Sequence, residues 1–398
     1  MFTKLTSLFF DGWEKFMKIV GILCEYNPMH LGHAKQISRI RELSGPETAV
    51  VCLMSGNFVQ RGYPAIFDKG LRARAALLSG ADLVLELPVQ YALSSAEGFA
   101  AGAVSILGKF CHEMSFGAEH PDVENLTSTA RALLSPDFPA NLRRHLDAGL
   151  SFPAARAKAL GDMGADNSLL MSPNDILAVE YCKAILSQES PMVPAPIHRA
   201  GGYHDLQADP ENPSATSLRA LIEKGQDFRP FVPTDLFAGA SVHTLALGER
   251  AVLSRLRTMT DAEFEALPYG TEGLWRKFMR ECRGQNTLEG ILTAVKSKRY
   301  TRTRLDRMAM CAFLGLTKDD LDSPAPYARV LGFTKKGQQV LHRAKQQTTL
   351  YNVGQRVDSP QWVIEQRCND LYGLFADRPE SAGLEPKQRV ILYHDQME

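Results

Sequence analysis

Two histidines three residues apart form the strongest chemical signal in this sequence. They lie in the stretch Glu25-Tyr-Asn-Pro-Met-His30-Leu-Gly32-His33, directly after a run of apolar residues. The Asn-Pro pair predicts a turn, and a helix that begins after this turn places both imidazoles on one face. The free N–H groups and positive dipole end of that helix attract anions. The arrangement suits a polyphosphate whose α-phosphate gains charge during a reaction.

Two other interpretations of the histidine pair stay open. A short H-x-G-H pattern also occurs in loops that have no chemical role. Histidines are zinc ligands as well, although no third ligand with a convincing spacing stands near His30 and His33. The position after a strand and the preceding Asn-Pro pair favour the phosphate interpretation.

Short apolar runs predict the strands that would position these histidines. They lie at residues 18–24, 48–54, 81–87 and 113–117, and helical patterns separate them. Strands that alternate with helices form parallel βαβ units in one open sheet. The sequence therefore predicts an α/β fold with its ligand site at the carboxyl ends of the strands.

The pattern changes near Pro230 and Pro233, after which most segments favour helix. We therefore divide the chain into a sheet-containing domain at residues 17–235 and a mainly helical domain at residues 236–398. A short βα element is expected near Arg329 to Arg343. Residues 1–16 precede the first predicted strand as an extension, and we assign them no role.

Composition excludes several classes of protein. With 45 basic and 45 acidic residues among 398, the chain has no uniformly basic coat for nucleic acid, although a local basic patch remains compatible. No apolar run approaches the roughly 20 residues of a membrane helix. Seven widely spaced cysteines without a C-x-x-C pattern argue against a disulfide framework or a structural zinc site. The N-terminus has no small-residue cleavage site, so we expect a cytoplasmic protein.

Three further places offer contacts to a nucleotide. The stretch Ser214-Ala-Thr-Ser217-Leu-Arg219 puts hydroxyls at a predicted helix start and an arginine in its first turn, which suits pyrophosphate. Gly117 ends the fourth predicted strand, where bare backbone lets a base or ribose approach. Asn174 lies at another helix start. Each place also has an ordinary interpretation, as a helix cap or a strand-to-loop glycine.

The densest basic run lies in the helical half of the chain. It extends from Lys296 to Arg307 and contains a single aspartate. Such a run suits the phosphates of RNA, and Tyr300 could stack on an unpaired base. A solvated helix face is the alternative. The residues expected to contact RNA are Lys296, Lys298, Arg299, Tyr300, Arg302 and Arg304.

Six motifs in order resemble the bacterial tRNA(Met) cytidine acetate ligase family, within the H-x-G-H nucleotidyltransferase superfamily. After the histidine motif come M-S-G-N-F-V-Q-R-G-Y-P-A from Met54, A-D-L-V-L-E-L-P from Ala81 and S-F-G-A-E from Ser115. S-P-N-D-I-L from Ser172 and S-A-T-S-L-R from Ser214 complete the set. Any one motif alone is weak evidence, whereas six in order over residues 17–230 are specific.

The resemblance implies a Rossmann-like nucleotidyltransferase domain at residues 17–235 and a tRNA-binding domain at residues 236–398. The implied reaction activates acetate with ATP as acetyl-adenylate. It then acetylates the wobble cytidine of elongator tRNA(Met) to give N4-acetylcytidine. His30 and His33 would be catalytic. Mg²⁺ could accompany ATP, but no metal ligands are assigned, and neither DNA nor a membrane is an expected partner.

The expected ATP-binding residues combine the family motifs with the anion contacts described above. They are Leu23, Cys24, Glu25, Tyr26, Asn27, Pro28, Met29, His30, Leu31, Gly32, His33, Ala34, Lys35, Gln36, Gly117, Asn174, Arg199, Ser217 and Arg219.

Two alternative functions remain open at this point. The histidine motif would equally serve a small-molecule adenylyltransferase that transfers AMP from ATP to a phosphorylated acceptor. The large helical region and its basic run favour an RNA substrate over a small one. A non-catalytic RNA-binding protein is disfavoured, because the His pair and the motif from Ser214 are intact.

Overall fold

The computed structural model describes residues 17–199, 213–351 and 359–393. The N-terminal extension expected at residues 1–16 lies outside these ranges. Ten strands are described: β1 Ile19–Cys24, β2 Ala49–Ser55, β3 Phe58–Val59, β4 Tyr63–Pro64, β5 Leu83–Leu87, β6 Glu113–Ala118, β7 Val193–His198, β8 Ala328–Thr334, β9 Leu350–Tyr351 and β10 Ile391–Tyr393.

Helices cover the sheet and build most of the second half of the described chain. They are α1 Leu31–Ser44, α2 Lys69–Leu78, α3 Val89–Ala92, α4 Ala96–Leu107, α5 Val123–Leu134, α6 Phe138–Asp147, α7 Phe152–Asp162, α8 Pro173–Ser187, α9 Ala215–Glu223, α10 Leu245–Thr258, α11 Asp261–Glu265, α12 Leu274–Gly284, α13 Leu288–Val295, α14 Arg302–Leu314, α15 Lys318–Asp322, α16 Lys335–Ala344 and α17 Pro360–Tyr372. Of these described helices, none has the length and apolar character needed to cross a bilayer.

The main sheet has the order β10-β8-β5-β2-β1-β6-β7, with β9 paired to β8. In this order, the five neighbouring strands β5, β2, β1, β6 and β7 are parallel, and β8 runs antiparallel to β5. All seven residues of β2 are buried, because helices cover both faces of the sheet. The predicted α/β class with a mostly parallel, Rossmann-like sheet is confirmed.

Local sequence explains where the helices beside the site begin. Asp68 caps α2 by accepting hydrogen bonds from the backbone N–H groups of Gly70 and Leu71. Ser214 caps α9 in the same way through the N–H of Ser217. In the chain, Asp68 follows β4 of the small antiparallel hairpin, and Ser214 follows β7 of the main sheet.

The helical region shares buried surface with the sheet-containing region. Its core includes Phe264, Phe278 and Phe375, and the same cluster takes in Phe58 of β3 and Leu93 after α3. In addition, β8 and α16 join the sheet layer. The boundary at residue 235 stays a prediction, and the described structure adds that the chain beyond it contributes strands to the main sheet.

Candidate active site

One cleft lies where β1 and β6 end and where α1, α8 and α9 begin. Eleven of the expected ATP-binding residues line it: Leu23, Cys24, Glu25, Tyr26, Asn27, His33, Gln36, Gly117, Asn174, Arg199 and Arg219. The other expected residues lie outside its lining: Pro28, Met29, His30, Leu31, Gly32, Ala34, Lys35 and Ser217. Further lining residues went unassigned in the sequence: Gln60, Arg61, Phe99, Phe116, Leu177, Tyr181, Ser214, Ala215 and Thr216.

The two histidines stack on each other at the start of α1. Their ring centroids are 3.6 Å apart with an interplanar angle of 23°. His33 faces the cleft, whereas His30 is buried and only 2% exposed. The backbone N–H of His30 donates to Nδ1 of His33 at 3.3 Å. This bond makes Nδ1 the acceptor of a neutral His33 ring, so its proton lies on Nε2, which is then a donor.

Burial keeps both imidazoles neutral. The pKa of His30 falls to about 3, mainly because the ring is buried and also because Arg199 and Arg219 are positive. The pKa of His33 falls well below its usual value through burial, then through His30 and Arg199. The permanent positive charge at the cleft therefore comes from the arginines, and His33 contributes a neutral N–H donor.

A buried arginine that the sequence analysis missed holds the loops below the cleft. Arg72 of α2 is completely buried. Its Nη1 donates to the carbonyl oxygens of Glu25 at 2.6 Å and Ser55 at 3.1 Å, and its Nη2 donates to that of Gly56. One guanidinium thus fixes the chain just beyond β1 and just beyond β2.

A network of carboxylates places Asn174 and Arg199. Asn174 Nδ2 donates to Glu119 Oε1 at 2.7 Å, and Arg199 Nη1 donates to Asn174 Oδ1 at 3.3 Å. The fully buried Asp175 carboxylate accepts the backbone N–H of Glu119 at 2.8 Å and that of His120 at 3.0 Å. Side chains on each side thus bond to the other: Asn174 of α8 donates to Glu119, and the backbone after β6 donates to Asp175 of α8. Arg199, bonded to Asn174, lies next to Gly117.

The two expected anion-binding residues of α9 lie in different surroundings. Ser217 is fully buried, and its hydroxyl donates to the carbonyl oxygen of Ser214 at 2.9 Å. Ser214 and Thr216 line the cleft in its place. Arg219 does reach the cleft, and its Nη1 donates to the Asn27 carbonyl oxygen at 2.8 Å. The side-chain direction within a helical turn decides this outcome, and the motif alone does not specify it.

The basic run lies around the start of α14. Its members differ in whether they form ion pairs and hydrogen bonds with other residues of the protein. Arg302 forms ion pairs with Glu289 at 2.7 Å and Asp306 at 2.8 Å. Arg304 donates to the Tyr269 carbonyl oxygen at 2.7 Å and lies 5.1 Å from the centre of the Tyr300 ring.

The other three basic residues of the expected RNA-contacting set are exposed. Arg299 pairs with Glu272 at 2.6 Å, whereas Lys296 and Lys298 have no ion pair within the described residues. Of the whole set, the two lysines thus offer their charge most fully to solvent.

Metal binding has no obvious protein site in the ranges that the structure covers. Within residues 17–199, 213–351 and 359–393, no three His, Cys, Asp or Glu side chains come together in a way that could hold an ion.

Comparisons with known proteins agree with this geometry. Residues 17–385 match the HIGH Nucleotidyl Transferase family. The tRNA(Met) cytidine acetate ligase of Clostridium novyi is 36% identical over 84% of this chain and 89% of its own length. The enzyme of the same name from Acetivibrio thermocellus is 34% identical over 94% of this chain and 100% of its own.

Two solved structures of Thermotoga maritima TmcAL are also similar. The apo form has a TM-score of 0.87, and the form bound with alpha-thio ATP has a TM-score of 0.83. Each is 29% identical and covers 95% of this chain and 100% of its own length.

The Rossmann-like sheet and the histidine cleft define a nucleotidyltransferase of the H-x-G-H type. Within that class, the match extends through the helical region and along nearly the whole length of the relatives. The chain belongs to the tRNA(Met) cytidine acetate ligase family, as its motifs predicted.

Proposed function

We propose that this protein is an ATP-dependent ligase that joins acetate to the wobble cytidine of elongator tRNA(Met). The observation that carries the proposal is the cleft itself, where His33, Arg199 and Arg219 converge at the carboxyl edge of the sheet. The family match over residues 17–385 supports the RNA substrate over a small phosphorylated acceptor. The proposed substrates, ATP and tRNA, agree with a cytoplasmic location.

The first step forms acetyl-adenylate. An oxygen of acetate attacks the α-phosphorus of ATP, and pyrophosphate leaves with the electrons of the broken P–O bond. Charge grows on the α-phosphate oxygens, where Nε2–H of His33 and the two arginines supply positive electrostatic potential. The backbone N–H of His30 donates to Nδ1 of His33 and thereby keeps the His33 proton on Nε2. Mg²⁺, if it accompanies ATP, would be carried by the phosphates.

The second step transfers the acetyl group to RNA. The N4 amine of cytidine attacks the acetyl carbonyl carbon, so a C–N bond forms. The C–O bond to the phosphate breaks, AMP leaves, and the amine gives up one proton to solvent. This step needs a single-stranded cytidine at the cleft and a surface that holds the rest of the tRNA. The exposed Lys296 and Lys298 are the strongest candidates for that surface, because neither forms an ion pair with another described residue.

Pyrophosphate exchange separates this proposal from its alternatives. With acetate present and tRNA absent, labelled pyrophosphate should exchange into ATP. Adding tRNA(Met) should then yield N4-acetylcytidine and AMP in equal amounts. Exchange without acetate would support an adenylyltransferase with another acceptor. No exchange and no product under either condition would support a non-catalytic RNA-binding protein and contradict the proposal.

A further inference from the structure

A small hairpin stands between the cleft and the basic run. It comprises β3, β4 and the turn between them, residues 58–64, and follows β2 directly. Gln60 and Arg61 in its turn line the cleft. The backbone N–H of Gln60 donates to Oε1 of Glu25 at 2.7 Å, and Glu25 belongs to the histidine motif. The turn is therefore bonded to the nucleotide side of the site.

The opposite side of the hairpin is bonded to α14. The Tyr63 hydroxyl donates to Oδ2 of Asp306 at 3.1 Å, and Nη1 of Arg307 donates to the Gln60 carbonyl oxygen at 3.4 Å. Oδ1 of Asp306 also accepts from Nε of Arg302, at 2.8 Å. One carboxylate thus contacts both the hairpin and a member of the basic run.

The contact between the hairpin and α14 is close enough to exclude any side chain at Gly62. Its φ is +84°, and a Cβ built there would lie 2.5 Å from the backbone N of Arg307 and 2.5 Å from the backbone C of Asp306. Ordinary contacts of a Cβ begin near 3.4 Å. Backbone therefore meets backbone here, and the hairpin has little room to move relative to the helix.

The sheet order gives the cleft two distinct sides. Gly117, Asn174 and Arg199 lie on the side of β6 and β7, beyond β1. The hairpin extends from β2, on the other side of β1. The helix α14, whose first turn carries Arg302 and Arg304 of the basic run, packs on this second side through the bonds described above. RNA held by the run would therefore approach the cleft across the hairpin.

We propose that the hairpin of residues 58–64 holds the acceptor nucleotide at the cleft. Gln60 and Arg61 form the surface that it meets, while Tyr63, Asp306 and Arg307 are positioning residues that fix the hairpin against the RNA-contacting helix. This inference rests on the proposed function and adds to it the side from which RNA enters. It also assigns different parts of the cleft to the two half-reactions.

Substitution of Gly62 by alanine tests the inference with a matched control. The added Cβ must move the hairpin by about 1 Å, since 2.5 Å must become an ordinary contact. A displacement of this size costs about a hundredfold in rate when it misplaces a reacting group. Gly149 has a φ of +85° with no atom within 4 Å of a built Cβ, so Gly149→Ala imposes the same backbone strain without the clash.

Three measurements are made on the wild type and both variants. They are acetate-dependent pyrophosphate exchange without tRNA, the dissociation constant for tRNA, and single-turnover acetyl transfer from enzyme-bound acetyl-adenylate. We expect Gly62→Ala to slow transfer by about a hundredfold relative to Gly149→Ala. Exchange should fall far less, because the displaced turn meets the nucleotide side through the backbone bond of Gln60 to Glu25 and supplies no group to the α-phosphate. A purely structural role would lower exchange and transfer together, and that result would overturn the inference.

Tyr63→Phe keeps the inference testable if Gly62→Ala does not fold. This change removes one hydroxyl and its bond to Asp306, so transfer should slow by about two- to tenfold with unchanged exchange. Transfer at the wild-type rate in every folded variant would also overturn the inference. A wild type that neither exchanges nor transfers would instead contradict the proposed function, so the two failures are distinguishable.

Discussion

Replacing His30 by glutamine should make the folded protein less sensitive to acid. The His30 ring is 2% exposed, and within the described residues both of its ring nitrogens lack a hydrogen-bond partner. Its pKa in the folded protein is about 3, below the ordinary value of 6.5 that it regains in the unfolded chain. The depressed pKa means that folding favours the neutral ring. The contribution of His30 to the free energy of unfolding is therefore fully present above pH 6.5, and it is lost as the pH falls from 6.5 toward 3.

The size of the effect follows from the two pKa values. At pH 5 the unfolded histidine is almost fully protonated, whereas the buried ring remains neutral. Proton linkage then lowers the free energy of unfolding by about 2 kcal/mol between pH 7 and pH 5. Glutamine has no proton to gain, so the variant should lose about 2 kcal/mol less than the wild type over this interval.

Urea unfolding at pH 7 and pH 5 measures how much unfolding free energy the wild type and the His30→Gln variant each lose between the two pH values. His342→Gln is the matched control, because it makes the same substitution at an exposed histidine of α16. The depressed pKa of His33 adds to the loss in all three proteins. An equal pH 7 to pH 5 loss in His30→Gln and wild type would refute the argument that the buried ring stays neutral.

Three further predictions test the site, the RNA surface and the core. His33→Ala should slow acetate-dependent pyrophosphate exchange by about a hundred- to a thousandfold, because it removes one preorganised donor; near-normal exchange would remove His33 from the mechanism. The double variant Lys296→Ala, Lys298→Ala should bind tRNA more weakly. The slope of log affinity against log salt concentration should become shallower by about 0.7 to 0.9 per lost contact, as measured by filter binding at several salt concentrations. An unchanged slope would mean that both lysines are ordinary solvated residues with no contact to tRNA. Lys69→Met should cost about 3–5 kcal/mol in urea unfolding, because Lys69 is buried between two buried glutamates at 2.7–2.8 Å; a loss below about 1 kcal/mol would contradict this.

Much of the nucleotide side of the protein could be predicted from local patterns. The apolar runs around Val50 and Leu85 became buried parallel strands, because an uninterrupted apolar segment fits a sheet that is covered on both faces. The spacing of His30 and His33 placed both rings at one helix start, since residues three apart share a helix face. These features depend on residues that are close in sequence.

Features that depend on distant residues could not be predicted. The expected βα element near Arg329 did not indicate that β8 would pair antiparallel with β5, because strand pairing across so long a separation leaves no local signal. The residues around Arg72 in the sequence carry no signal that its guanidinium binds the loops after two strands. Arg302 lies in a basic run by sequence, yet folding also pairs it with Glu289 of α13, at 2.7 Å.

The position of β8 has a consequence for how the chain is made. In the sheet, β5 lies between β2 and β8. In the chain, however, β8 comes about 250 residues after β5. At a usual translation rate of about 5–20 residues per second, β8 leaves the ribosome on the order of ten to fifty seconds after β5. During that time the outer edge of β5 carries unpaired backbone groups that other nascent chains can pair with. Gene fragments that stop near residue 235 would keep this edge permanently open, so they should aggregate when expressed.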